Sequence, residues 1–332
     1  MSDRPGAWVG APEGPHGVGT GDRPDVPDLT IDGAVQPFWL RGAPARGRFV
    51  RLGKLADAIL TRHDNPDAVN ALLAEALALT AGLAAALKFT GSFSFQARGD
   101  GAVSMLLADC TDHGALRGYA RFDAEKFAAL PEAASAARML GGGYLAFTCD
   151  AKSSSGGPDK ERYQGIVPIE GATLAEITQS YFRNSEQTET AIKTAAARTR
   201  DGWRGSALIL ERVAMMGGVD APDAETANEA WRTAAILAGT ATDAEMLDDA
   251  LPPQMLLRRL FYEVSPAYPE PRSLAFGCRC TRRKLQAILE GFGKDDLDHM
   301  AEEDAAMAGG RITMTCEFCN HAFAFPRAGF AG

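Results

Sequence analysis

From Leu52 onward, hydrophobic positions fall into two rhythms that alternate in blocks along the chain. Leu52, Leu55, Ala56, Ile59 and Leu60 recur at helical spacing and predict a short helix over Leu52–His63. Asn65 and Pro66 supply the cap and first position of a second helix that runs to about Lys88. That helix is apolar nearly all round (Leu72, Leu73, Leu77, Leu79, Leu83, Leu87), which predicts burial against a sheet. A period of two then predicts strands at Ser92–Ala97, Val103–Ala108, Leu116–Phe122, Tyr144–Cys149 and Tyr163–Pro168. The last two are joined by a Ser/Gly/Pro loop at Ser153–Pro158, a hairpin connection. Two further helices, Leu174–Phe182 and Glu186–Ala197, precede a last strand at Ser206–Arg212. Ser185–Glu189 offers capping chemistry for the second of them. No element is assigned before Leu52, although the folded region begins near Leu29. Runs of strands with segregated helices predict an α+β domain with a mainly antiparallel sheet.

After Gly217-Gly218 the texture changes. Ala221 to about Phe261 is helical in pattern, and Gly239 and Pro252-Pro253 cut it into three short helices. From about Pro271 a small unit follows, with helices over Arg282–Gly291 and Lys294–Glu302 and a hairpin of Thr313–Thr315 with Ala322–Phe325. Residues 1–28 are rich in Pro and Gly and read as a disordered leader. The expected organisation is therefore a leader (1–28), an α+β core (29–217), a helical linker (218–270) and a C-terminal unit (271–332).

At 332 residues the chain has room for more than one folding unit, and 46% apolar with 23% charged residues is an ordinary globular composition. A net charge of −9 counts against a nucleic-acid surface, which needs local basic charge. No run approaches the ~18 consecutive apolar residues of a membrane span. The start carries no secretory h-region, so a cytoplasmic, reducing environment is expected, where thiols are available to metals or oxidants.

The most specific signal is Cys278-Arg279-Cys280, then 35 residues, then Cys316-Glu317-Phe318-Cys319. Two close cysteine pairs suit the tetrahedral all-thiolate coordination of one zinc ion. A unit of about 60 residues has little core, so metal ligation would supply much of its folding free energy. The site can be purely structural, or its thiolates can serve as an oxidation sensor. A nucleic-acid-binding ribbon is disfavoured by the acidic balance. A thioredoxin-like role for Cys316 and Cys319 lacks the surrounding βαβ pattern. Cys110 and Cys149 fall in or beside strand patterns and read as packed core thiols. His299 and His321 lie inside the small unit but are not needed as ligands. His113 reads as a solvated turn residue, not a partner of Cys110. Gly141-Gly142-Gly143 lacks the Lys-Ser/Thr of a phosphate loop. No H-E-x-x-H set supports the alternative class, a zinc-dependent or thiol–disulfide oxidoreductase.

The chain resembles the heat shock protein 33 family, the redox-regulated chaperones also called the 33 kDa chaperonin. The resemblance rests on the cysteine pairs and on Gly91-Ser92-Phe93-Ser94-Phe95-Gln96, Leu116-Arg117-Gly118-Tyr119 and Gly142-Gly143-Tyr144-Leu145. It continues through Tyr163-Gln164-Gly165-Ile166-Val167-Pro168, Tyr181-Phe182, Ser185-Glu186-Gln187-Thr188 and Leu256-Leu257-Arg258-Arg259-Leu260-Phe261. It implies an ATP-independent holdase, not an enzyme, dormant while Cys278, Cys280, Cys316 and Cys319 bind one zinc ion in the reduced form. It further implies that oxidation ejects zinc and forms disulfides Cys278–Cys280 and Cys316–Cys319. The linker then loosens, a homodimer forms, and unfolding client proteins are captured; no nucleic-acid or membrane partner is implied. The spacer between the cysteine pairs is longer than the resemblance implies, with the extra length expected in a Met300–Gly310 loop.

Overall fold

The computed structural model describes residues 33–87, 90–152, 160–214, 223–308 and 311–330. The leader at 1–28, the Ser153–Pro158 connection and the Gly217-Gly218 boundary lie outside the described residues. The chain divides into two compact units, one ending at Phe276 and the other beginning at Gly277.

In chain order the first unit contains β1 (Ala34–Leu40), β2 (Ala45–Arg51), α1 (Lys54–Leu60) and α2 (Asp67–Ala84). The strands β3 (Gly91–Gly99), β4 (Val103–Thr111) and β5 (Ala115–Phe122) follow. Two short helices, α3 (Ala124–Ala128) and α4 (Ala136–Leu140), lead into β6 (Gly143–Lys152), β7 (Lys160–Pro168) and α5 (Leu174–Asn184). Next come β8 (Thr190–Thr199), β9 (Gly202–Arg212), α6 (Ala224–Gly239), α7 (Asp243–Leu247) and α8 (Pro253–Phe261). Three two-residue strands close the unit: β10 (Pro266–Ala267), β11 (Arg272–Ser273) and β12 (Ala275–Phe276).

Helix α2 organises this unit. It is apolar on every side, so one sheet is not enough to cover it; it packs on β2, β8 and β9 of one sheet and on β3, β4 and β5 of another. Its length and hydropathy would suit a membrane span, yet 78% of it is buried inside the fold. Two glycines permit the close approach. A Cβ on Gly82 would lie 2.7 Å from Ile209 of β9, and one on Gly118 of β5 would lie 2.9 Å from Leu77 of the helix. The first sheet runs β10-β1-β2-β9-β8 with β11 also on β1; the second runs β12-β5-β4-β3-β6-β7. All pairings are antiparallel except β12 on β5.

On its other face the first sheet carries α6 and α8. Trp231, Ala234, Ala238, Leu256, Leu257, Leu260 and Phe261 pack with Phe38, Leu40, Phe49, Leu208 and Leu210, and Phe38 stacks on Phe261 at 5.5 Å. Arg51 of β2 adds polar anchors, donating to the carbonyls of Glu245 (3.1 Å), Met246 (3.2 Å) and Leu251 (2.5 Å). Arg204 of β9 pairs with Asp249 at 2.6 Å.

Several expectations are corrected. The helix expected at Glu186–Ala197 is strand β8, and Ser185–Glu189 ends α5 instead of opening a helix. Its alanines favour a helix in isolation, but Thr190, Ile192 and Thr194 pair with Glu211, Ile209 and Ala207 of β9, and Gly202 (φ +98°) closes the hairpin. Between Gly33 and Leu52, where no element was expected, lie β1 and β2. Pro37 within β1 and three arginines within β2 obscure the strand pattern, and pairing in the sheet settles it. The cap of α2 is Pro66, while Asn65 hydrogen-bonds Asn70 at 3.1 Å. Residues 272–276 pair with β1 and β5, so the second compact unit starts at Gly277, later than the expected 271.

Candidate metal centre

The second unit contains α9 (Arg282–Leu289), α10 (Lys294–Ala308) and a hairpin of β13 (Arg311–Thr315) with β14 (Ala322–Pro326). Helix α10 occupies most of the Met300–Gly310 stretch expected as a loop, which is helical through Ala308. Among the described residues, Leu289, Leu297, Ala301, Ile312, Phe323, Phe325 and Phe330 form its buried apolar core.

Each cysteine pair is set by local chemistry. Cys278 and Cys280 lie on the irregular segment between β12 and α9, with their sulfurs 3.4 Å apart. Thr281 fixes where that segment ends, since its buried hydroxyl caps α9 by accepting from Lys284 N at 3.1 Å. Cys316 and Cys319 sit on the turn of the β13–β14 hairpin. Asn320 takes the left-handed conformation (φ +55°), its N–H reaches Cys316 O at 2.7 Å, and Cys316 N donates to His321 O at 3.0 Å. Arg282, at the start of α9, ties the two pairs into one frame. Its guanidinium lies 5.0 Å from the Phe325 ring centre and donates to Ala324 O at 2.8 Å.

The four sulfurs lie within 4.8 Å of one another. Cys278 Sγ is 3.4 Å from Cys280 Sγ and 3.6 Å from Cys316 Sγ, and Cys280 Sγ is 3.5 Å from Cys319 Sγ. Metal–sulfur bonds of about 2.3 Å in a tetrahedron give sulfur–sulfur edges of about 3.8 Å, so the donor set fits a tetrahedral thiophilic ion. Cys278, Cys316 and Cys319 are buried and Cys280 is half-buried. Sulfur–sulfur hydrogen bonding with Cys280 brings Cys278 down to about 7, and hydrogen bonding with Cys278 lowers Cys316. Cys280 and Cys319 are raised, each chiefly by hydrogen bonding with Cys278. Hydrogen bonding among the four sulfurs thus favours thiolate character within the cluster, the form that binds metal and reacts with oxidants.

Among the described residues no histidine or carboxylate joins this cluster. His321 instead packs edge-on against Phe323 at 4.5 Å. The remaining cysteines lie in the first unit. Cys110 is buried on β4 and donates to Thr111 O at 3.5 Å; Cys149 is half-buried on β6, where burial pushes its thiol up. They flank Phe93 of β3 in register, two strand spacings or about 10 Å apart, beyond disulfide reach. His113 is exposed and 3.5 Å from Asp112.

Comparison with known proteins matches residues 33–326 to the family model described as Hsp33 protein. The chain belongs to the Hsp33 family. A 33 kDa chaperonin of Caulobacter vibrioides is 37% identical over 90% of this chain and 96% of the relative. One from Nitrosococcus oceani is 34% identical over 87% and 90%. The crystal structure of the Hsp33 homolog of Thermotoga maritima superposes with a TM-score of 0.73 at 20% identity, covering 90% of this chain and 96% of the other, so the fold is shared. Within this Hsp33 family member the sequence pointed directly to the four sulfurs. It missed Arg51, Arg204 and Arg282, whose roles depend on carbonyls, a carboxylate and rings brought close by folding.

Proposed function

We propose that the chain is an oxidation-activated, ATP-independent holdase whose switch is the four-cysteine centre. The observation that carries this reading is the gathering of Cys278, Cys280, Cys316 and Cys319 within 4.8 Å, in a unit whose apolar core is small among the described residues. The four thiolates would hold one zinc ion, which supplies folding free energy to a unit too small to fold well without it. Peroxide oxidation joins two thiols in a disulfide: two electrons and two protons pass to the peroxide, its O–O bond breaks, and two waters leave. A disulfide sulfur carries no anionic charge for metal binding, so each oxidised pair withdraws two ligands.

The pairing Cys278–Cys280 and Cys316–Cys319 is taken from the family resemblance. The distances do not select it, since the cross-pair contacts at 3.5 and 3.6 Å are close to the Cys278–Cys280 contact at 3.4 Å. Release of the second unit would propagate through the connecting strands β10–β12 to α6–α8, which then expose Trp231, Leu256, Leu257, Leu260 and Phe261 to unfolding clients. The activated protein would dimerise and act in the cytoplasm.

The deciding experiment records zinc release with a chromogenic chelator while peroxide and heat are applied, alongside suppression of a denatured client's aggregation. Zinc release that tracks the onset of protection is the expected outcome. Protection by the reduced, zinc-loaded protein, or none after complete zinc release, would overturn the reading.

A further inference from the structure

Between the two sheets of the first unit lies a cleft of about 500 Å³, none of whose lining residues is one of the four clustered cysteines. Its walls are aromatic: Phe93 of β3, Phe147 of β6, Tyr163 of β7, and Tyr181 and Phe182 of α5. Phe147 stands 4.5 Å from Tyr181 and 6.2 Å from Phe93, and Tyr181 meets Phe182 edge-on at 5.4 Å. At the rim stands Glu186, on the segment between α5 and β8. Its Oε1 accepts hydrogen bonds from Tyr163 Oη (2.6 Å) and from Tyr181 Oη, so the carboxylate is held facing the rings.

The charges around the cleft differ in one respect. Glu211 is shared between Arg46, at 2.9 Å, and the buried Arg48, and Arg212 pairs with Glu189. Glu186 has two phenol donors and no cationic partner among the described residues. A rim carboxylate without a counter-ion beside stacked rings is the arrangement that attracts an organic cation, through charge on one side and ring faces on the other. The volume is that of small-molecule sites and is far larger than one lysine side chain requires.

We propose that this cleft binds a small arylalkylammonium compound, its ring among Phe93, Phe147 and Phe182 and its ammonium at Glu186. The site is independent of the redox reading, since none of its residues belongs to the sulfur cluster.

The test titrates the full-length, reduced, zinc-loaded protein with 2-phenylethylammonium, observed by protein NMR, with 2-phenylethanol and phenylacetate as neutral and anionic matches. The cation should bind saturably and about tenfold tighter than the alcohol, the worth of one charge-assisted contact. Glu186→Gln should abolish that preference while leaving the alcohol unchanged. Glu189→Gln, on the same segment but paired with Arg212, should keep it. Equal binding of all three compounds, no saturation by the cation, or an unchanged preference in Glu186→Gln would overturn the proposal. Displacement of the probe by a lysine-rich peptide at lower concentration than by the free amine would also overturn it, placing the site's ligand in a polypeptide.

Discussion

In the first unit one buried helix, α2, is covered on both sides by six-stranded sheets; in the second, a small core, seven buried apolar residues among those described, adjoins a cluster of four sulfurs. The first has enough apolar burial to hold its shape by packing, with Gly82 and Gly118 trimmed so that helix and sheets touch. The second has two helices and a hairpin around a small core, and its geometry converges on groups that bind metal when reduced and lose that capacity when oxidised. The difference teaches where a switch can reside. A reversible chemical change of a few side chains can decide the folding of a unit with little packing, and has little leverage on a well-packed one.

The sharpest way to break this contrast is to remove a ligand. Cys316→Ser, or chelation of the metal, should unfold the second unit at a cost on the order of 10 kcal/mol for full metal loss. Hydrogen exchange should become fast across 277–330 while α2 stays protected; retained protection in the second unit would show that its apolar core suffices. The mirror experiment is Leu77→Ala in α2, which should cost about 3–4 kcal/mol of first-unit stability with zinc content unchanged.

Arg51→Met probes the boundary between packing and release. Loss of its three bonds to the carbonyls of Glu245, Met246 and Leu251 should cost about 2–3 kcal/mol and speed exchange across α6–α8. Client protection should then begin at lower peroxide, read from the same aggregation assay.

Glu75 of α2 gives a smaller, pH-dependent effect. Burial raises its carboxyl, while Thr194 Oγ1 donates to it at 2.9 Å. The native state therefore holds this proton more tightly than the unfolded chain does. Its contribution to stability falls as pH rises from the unfolded carboxyl value, about 4.3, through the raised native one. Glu75→Gln should match the parent in acid and exceed it slightly at neutral pH, as urea unfolding would show. Smallest of all, Cys110→Ser with Cys149→Ser should leave oxidative activation unchanged, because both thiols belong to the first unit and neither is within reach of the other. Lost activation in the folded, zinc-loaded double variant would move part of the switch into the first unit.

The cysteine spacing and helical and two-residue periodicities were readable directly, because they depend on local geometry: a C-x-C segment, a C-x-x-C turn, an apolar helix, alternating strands. Helices α1, α2, α5, α9 and the β13–β14 hairpin lie where their periodicity places them. The sequence failed where a partner overrules local preference. The alanines of β8 suit a helix, but β9 and the helices on both faces leave room only for a small-residue strand. Pro37 and Arg48 suit a loop, but β1 and β2 pair, and Arg48 is buried against Glu211.

By itself, the sequence determined that this chain would carry an α+β core, an apolar central helix and four thiols able to share one metal ion. Only the tertiary structure decided that α2 lies between two sheets, that Arg51 clamps α7 and the α7–α8 turn, and that Tyr163, Tyr181 and Glu186 meet at one cleft. Periodicity and ligand spacing are properties of neighbours in the chain. The meeting of β2 with the α7–α8 turn, or of β7 with the segment before β8, arises between distant residues and is fixed only when the sheets close around the helix.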